Sequence, residues 1–523
     1  MTDGRAAGWG PTASIAALTL LWLAATAWMR PLMLPDEGRY VGVAWEMMRS
    51  GDWLTPTLNG LPFFHKPPLF YWITAGSMSL FGLQEGAARA APVLGAFLGA
   101  FSLYLFIRRW SGERAARLTL VALLVQPLFY IGGQFANLDM LVAGCITATI
   151  VLLAHAALCV ERDLPYRLPL ASAYAMAAAG VLAKGLIGFV IPALVVASWL
   201  LIRRRWRVLA ALLWGPGALL FVLVAAPWFL AMQARFPAFL DYFFVVQQFK
   251  RFTQAGFNNV QPFWFYPVVL VVFSLPWLPW LHRLFTRDYL TDSERGPIRL
   301  LLWLWVVMVV LFFSLPKSKL LGYVLPAVPP LAALMADGFV QLGVPSRRAK
   351  RLWIASATVT CLLSVGTVIG FAIRAPNSLR DLAASLATQR APGEPVFMLA
   401  NYYYDVPFYA RLAQPLQIVD DWRIPAASQR DNWHKELADA GQFAAARADR
   451  VLVMPPSLAK TVCTSNVSWV IGPAGITTDY PFLQLAKVAF SVRDIRLWRI
   501  DPSGEVSSSL RCKAKPGVGS ADE

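Results

Sequence analysis

Charge is what this sequence is shortest of. Asp, Glu, Lys and Arg make up 15% of its 523 residues, against roughly 25% in an ordinary soluble domain. With 57% hydrophobic residues and a mean hydropathy of +0.52, that shortage excludes a soluble globular protein and points to many membrane crossings. Histidine is scarce as well: His65, His155, His282 and His434 are scattered along the chain, so no histidine-based metal site is expected. The five cysteines lack metal-ligand spacing. Cys145, Cys159 and Cys361 fall in apolar segments as small core residues, whereas Cys463 and Cys512 lie in a polar tail and are free to pair as a disulfide if that tail is extracytoplasmic. There is no internal repeat, no P-loop and no dinucleotide fingerprint. The net charge of +17 does not imply a nucleic-acid partner, because the arginines gather in loops between apolar segments rather than on a binding domain.

Eleven charge-free apolar segments recur, at 14–29, 90–107, 118–138, 140–160, 168–183, 185–202, 208–234, 263–281, 300–316, 320–336 and 352–373. A spanning helix needs about 20 residues, so the shorter ones must extend into their flanks. The first segment is expected to be a retained span, since no small-residue cleavage site follows it. Arginine clusters at 108–117, 203–207 and 347–351, with looser groups at 162–167 and 283–299, occupy alternate loops. The positive-inside rule makes that side cytoplasmic. A further apolar stretch, 67–84, would reverse every later cluster if it crossed alone, so it is expected to lie in the outer interface. Two extra crossings would restore the parity, which leaves thirteen spans open. The domain boundaries expected are 1–374 for the transmembrane part, 375–500 for a small α/β domain of strands alternating with helices, and 501–523 for a disordered tail.

The opposite, external face collects the polar residues that charge scarcity makes conspicuous. Asp36, Glu37, Arg39 and Tyr40 follow the first apolar segment, and His65 and Lys66 precede Pro67 and Pro68. Asp139 opens one span, Lys184 stands between two apolar segments, and Lys250 and Arg251 end an aromatic loop. Lys317 and Lys319 flank a serine, with Tyr323 one turn later. Any one of these is an ordinary membrane-edge anchor. Charges near hydrocarbon are costly, however, and so many on one face read as a site. The carboxylates suit acid–base work; the cations suit phosphate. A divalent cation held by Asp36, Glu37 or Asp139 stays open, and Glu37 and His65 are the candidate metal-binding positions.

Five motifs together resemble a known family: DEGRY at 36–40, FHKPPLFYW at 64–72, ANLDM at 136–140, AKGLIG at 183–188 and PKSKLLGYVLP at 316–326. They are similar to those of lipid-linked-sugar transferases of the membrane GT-C class, and among these to the bacterial branch of aminoarabinose lipid A transferases, relatives of protein O-mannosyltransferases. The resemblance covers about the first 340 residues in order. It implies a polytopic α-helical GT-C fold with a periplasmic C-terminal α/β domain, in an inner-membrane protein whose N-terminus is cytoplasmic. It also implies an inverting transferase that uses an undecaprenyl-phosphate-linked sugar and an envelope acceptor, lipid A first among them, at the periplasmic face. Carried over by motif, Asp36 is the main catalytic carboxylate, with Arg39 and Tyr40 shaping its surroundings. Lys66, Arg251 and Tyr323 contact the carrier phosphate, and Asp139 and Lys184 complete the cavity. His65 departs from the glutamate often found in this family, which puts a metal or substrate role there in doubt. The competing readings are a glycosyltransferase acting on protein or another glycolipid, a lipid or sugar transporter, and a non-catalytic envelope assembly protein.

Overall fold

The computed structural model describes residues 9–250, 259–286, 289–292, 295–424 and 432–512. Arg251 lies outside the described residues. The chain divides into two compact units, one of Met1–Pro31 with Phe64–Ala375 and one of Leu32–Phe63 with Pro376–Glu523.

The first unit is helical. Among the described residues six helices are long and apolar enough to cross a membrane: Ala90–Ser111, Leu138–Val160, Gly215–Arg235, Gly296–Ser314, Leu321–Val340 and Arg347–Arg374. Two bent pairs raise the number to eight, Glu113–Leu124 with Pro127–Gly133 (68°) and Phe265–Phe273 with Leu275–His282 (96°). Three apolar helices are shorter: Pro11–Ala24, Leu69–Phe81 and Ile187–Ile202. The protein is thus a multi-pass membrane protein, and its apolar segments are more broken than an unbroken reading of 118–138 or 263–281 suggests. Proline stands at both breaks: Pro127 opens the second helix of one pair, and Pro276 is the second residue of the second helix of the other, each lacking an amide hydrogen and crowding the preceding turn.

Leu138–Val160 is the most enclosed long helix together with Leu321–Val340, 83% of its apolar window being buried. Small residues allow this. A Cβ on Gly95 would fall 2.5 Å from Leu141 Cα, and one on Gly144 would strike the Gly95 backbone, so helices Ala90–Ser111 and Leu138–Val160 meet backbone to backbone. Helices Arg167–Lys184 and Ile187–Ile202 meet likewise through Gly180 and Gly188. The chain reverses between them at Gly185, whose φ of 101° suits glycine.

Arg89 fixes the exit of the first helical segment. Fully buried, it donates from Nη1 to the carbonyls of Ala27 (2.6 Å) and Arg30 (2.8 Å) and from Nη2 to that of Pro31 (3.0 Å). Arg89→Ala would strip three buried carbonyls of their donor. A loss on the order of 3 kcal/mol is expected, seen as a lower thermal unfolding midpoint in detergent. Arg89→Lys, lacking the planar fork, should recover only part of it.

The second unit opens with a helix, Asp36–Ser50. Asp36 and Glu37 stand in its first turn, where the helix dipole favours carboxylates, and Gly51 ends it with φ 71°. A short hairpin follows, β1 (Thr57–Leu58) and β2 (Leu61–Pro62). It is held by the buried Glu46, which accepts from Thr57 Oγ1 (2.7 Å) and the amides of Asn59 (2.6 Å) and Gly60 (3.0 Å).

The rest of the unit is a six-stranded sheet made of β3 (Val396–Leu399), β4 (Gln417–Val419), β5 (Leu452–Val453), β6 (Ser468–Pro473), β7 (Lys487–Val492) and β8 (Ile495–Ile500), in the order β5-β4-β3-β6-β8-β7. The first three pairings are parallel, with Met398 opposite Ile418, Phe397 opposite Val470 and Ile418 opposite Leu452. β8 pairs antiparallel with β6 and β7. Phe397, Leu399, Val419, Val470 and Trp498 form the core on the sheet. The tail expected to be disordered from 501 is ordered in its first part: helix Gly504–Leu510 buries Val506 in that core, and Cys512 is disulfide-bonded to Cys463. Composition alone misses this, because one buried valine and one cross-link order a stretch rich in serine.

Asp405 is a buried carboxyl beneath the Asp36–Ser50 helix. Its Oδ2 accepts from Leu379 N (2.7 Å) and Ser378 Oγ (3.0 Å), and burial pushes its pKa up to about 6. The folded form therefore keeps a proton that the unfolded chain releases near pH 4. The stability this contributes is complete below about pH 4 and is lost as pH rises through about 6, by roughly 3 kcal/mol. Thermal unfolding from pH 4 to 7 should show that decline, and Asp405→Asn should flatten it.

Candidate functional site

In the second unit the DEGRY residues form one cluster with the sheet domain. Arg39 Nη2 donates to Asp36 Oδ1 and Nη1 to Glu436 Oε1, so one guanidinium bridges two carboxylates. Glu436, on helix Trp433–Gly441, also accepts from Tyr404 Oη at 2.7 Å. Burial and the neighbouring Glu436 hold the Tyr404 phenol well above its ordinary pKa, so it remains a donor. Burial opposes the Arg39 charge, but Glu436, Tyr40 and Asp36 outweigh it and hold the guanidinium above its usual range. The Arg39 guanidinium carbon also lies 5.0 Å from the Tyr40 ring and 5.7 Å from that of Tyr404. The Asp36 side chain is 33% exposed, against 4% for Glu436. One of the Asp36 oxygens is taken by Arg39. Glu37 is fully buried, and its Oε2 accepts from Met33 N at 2.9 Å.

Gly38 explains the middle of the motif. A Cβ there would lie 2.8 Å from Asp405 N and 3.0 Å from Tyr404 C, so only glycine lets the helix approach this closely.

In the first unit Asp139, Lys184 and Tyr323 come together. Lys184 Nζ donates to Asp139 Oδ1 and lies 4.2 Å from the centre of the Tyr323 ring. Asn137 caps the Asp139 helix, accepting from Asp139 N (3.0 Å) and donating to Asp139 Oδ2 (3.2 Å). Lys184 ends its own helix, where the dipole favours a cation. A Cβ on Gly322 would collide with the Asp139 carboxylate, so Gly322 allows Tyr323 to sit beside the pair. Asp139 thus has a partner in Lys184.

His65 Nε2 lies 2.9 Å from Tyr242 Oη, which also accepts from Gln247 Nε2 at 3.0 Å. Lys66 is buried before its two prolines. Lys319 is engaged by backbone, donating to the carbonyls of Gln261 (3.0 Å) and Pro316 (2.5 Å), whereas Lys317 is exposed. Among the described residues no group of three or more His, Cys, Asp or Glu is placed to hold a metal ion. Glu436, Tyr404 and Tyr242 are absent from the sequence-level candidates. Glu436 lies 397 residues from its partner Arg39, and no spacing rule links such positions.

A search of known folds decides the architecture. An ArnT crystal structure from Cupriavidus metallidurans, bound to undecaprenyl phosphate, superposes with a TM-score of 0.78 at 23% identity, covering 96% of this chain and 99% of that one. The chain has an ArnT-type GT-C fold. An archaeal oligosaccharyltransferase from Archaeoglobus fulgidus matches this GT-C fold more distantly, with a TM-score of 0.55 at 14% identity over 90% of this chain and 70% of that one. In sequence, residues 65–230 match the family described as dolichyl-phosphate-mannose-protein mannosyltransferase. The resemblance to aminoarabinose transferases stands as well. The undecaprenyl phosphate-alpha-4-amino-4-deoxy-L-arabinose arabinosyl transferase of Pectobacterium carotovorum is 35% identical over 66% of this chain and 61% of its own length. Its namesake from Aeromonas hydrophila is 34% identical over 60% and 57%. The match therefore spans about three fifths of these curated relatives.

Proposed function

We propose that this protein transfers a sugar, of the aminoarabinose type, from an undecaprenyl-phosphate-linked donor to an envelope acceptor, with lipid A the first candidate. The observation that carries the reading is the pairing of an accessible carboxylate, Asp36, with a bridging guanidinium, Arg39, in a fold that in a solved relative holds undecaprenyl phosphate. The names of the relatives support both donor and sugar.

The chemistry follows from the charges. Cleaving a sugar–phosphate bond leaves negative charge on the departing phosphate, which preplaced cations stabilise best where water is excluded. Lys184, held by Asp139 and against the Tyr323 ring, is assigned that role in the first unit, with Lys66 as a second cation. Asp139 is assigned to positioning Lys184. Asp36 takes the proton from an accepting hydroxyl; where the acceptor is a phosphate, which has no proton to lose, it instead steadies the positive charge developing on the sugar ring. Lys319, engaged by backbone carbonyls, is assigned to structure.

The site and the C-terminal domain are placed at the periplasmic face of the inner membrane, with the N-terminus cytoplasmic. Support comes from the arginine loops and from the Cys463–Cys512 disulfide, a bond that persists in oxidising compartments.

Mass spectrometry of lipid A and the other envelope glycolipids tests this, comparing cells with wild-type protein, Asp36→Asn or no copy. A mass increase of one amino-pentose on lipid A, present only with wild type, is the expected result. A sugar on another glycolipid or on protein would move the acceptor; no sugar-dependent change in any fraction would overturn the transferase reading.

A further inference from the structure

We infer that Tyr404 and Glu436, both from the C-terminal sheet domain, are positioning residues for the transfer reaction and set the orientation of Asp36 through Arg39. The inference rests on the proposed role of Asp36. It goes beyond that role in making the soluble domain a working part of the site.

The geometry is a chain of directed contacts. Tyr404 Oη donates to Glu436 Oε2 at 2.7 Å, Glu436 Oε1 accepts from Arg39 Nη1, and Arg39 Nη2 donates to Asp36 Oδ1. The Arg39 Nε, though buried, has no hydrogen-bond partner among the described residues. The guanidinium is thus held at its two outer nitrogens, one by each carboxylate. Because the guanidinium is a rigid plane, fixing one end of it fixes the other. Exposure falls along the chain, from 33% at Asp36 through 17% at Arg39 to 4% at Glu436. Only the first group is open to substrate; the other two anchor it. The contact at Gly38 with the Tyr404–Asp405 backbone removes slack from the helix that carries Asp36.

A merely structural Glu436 would affect stability and leave turnover alone. A positioning Glu436 lowers turnover as well, since small misplacements of a reacting group cost about 100-fold in rate. Glu436→Gln keeps the volume and a partner for Tyr404 but removes the charge that holds Arg39. In the purified full-length protein, turnover should fall about 10- to 100-fold with the donor KM within about twofold. The unfolding midpoint should fall, because the buried guanidinium loses its strongest carboxylate partner, so turnover is compared at a temperature well below it. Tyr404→Phe, the milder variant, should lower turnover about three- to tenfold, as the loss of one hydrogen bond to the anchor allows.

If wild-type protein transfers sugar and either folded variant turns over like wild type, the inference is wrong. Should Glu436→Gln not fold, Tyr404→Phe decides alone. Hydrogen exchange of the peptide covering residues 36–42 gives a readout independent of transfer and should quicken in Glu436→Gln. Faster exchange with no transfer by wild type on any envelope acceptor would overturn the proposed function and leave the anchor standing, whereas unchanged exchange would overturn the anchor itself.

Discussion

Asp36→Asn is expected to lower turnover about 10³-fold, within the range removed with a general base or a charge-stabilising carboxylate. The substitution is close to isosteric, and the amide oxygen can still accept from Arg39, which now donates to Asp36 Oδ1. The helix and its contact with Tyr404 and Asp405 at Gly38 should therefore stay in place. What disappears is the charge and the basicity of the exposed oxygen. The donor KM should change little, because binding the carrier phosphate is assigned to cations elsewhere in the chain. Asp36→Glu sharpens the test. It restores the charge but moves it by about one bond, and an error of about 1 Å typically costs about 100-fold. The expected order of turnover is wild type, then Glu, then Asn, measured with purified protein, an undecaprenyl-phosphate-linked amino-sugar and lipid A. Asn with more than a tenth of wild-type turnover would remove Asp36 from the chemistry.

The cluster around Asp36 also marks where sequence reading stops. DEGRY was legible as a site because an acidic pair, an arginine and a tyrosine stand together at the end of an apolar segment in a chain poor in charge. Its partners were not. Glu436 sits in an ordinary amphipathic helix of a polar domain, where a glutamate signals nothing, and only the close approach allowed by Gly38 brings it within reach of Arg39. The same reason hides the helix Asp36–Ser50 from the sequence: it buries one face against the tail domain, and neighbouring sequence does not contain that face. By contrast, Asp139, Lys184 and Tyr323 were each visible as polar residues at span ends, since hydrocarbon makes any charge conspicuous. Their pairing was not visible, because it depends on Gly322 leaving room beside the Asp139 carboxylate. The strands between 395 and 500 were legible from short apolar runs, while the breaks before Pro127 and Pro276 were hidden inside segments that hydropathy averages into one.

Lys184 and Asp139 offer the second large effect, and they separate stability from catalysis. Lys184→Met leaves the Asp139 carboxylate buried without its cation, which should cost about 3–5 kcal/mol. Asp139→Asn leaves the converse, a buried ammonium without its carboxylate, beside the Tyr323 ring at 4.2 Å. Combining the two removes both charges. Because two charges in this setting cost about as much to desolvate as their attraction returns, Asp139→Asn with Lys184→Met should recover most of the stability lost by either alone. Activity should behave differently. If Lys184 stabilises charge on the departing phosphate, the double variant stays about 10²- to 10³-fold down in turnover, the usual effect of deleting one such group. A double variant that regains activity along with its unfolding midpoint would make the pair a structural device only, and would pass the phosphate to Lys66. The two cycles are complementary: removing charge at Asp36 is expected to alter rate without stability, and neutralising the Asp139–Lys184 pair is expected to restore stability without rate.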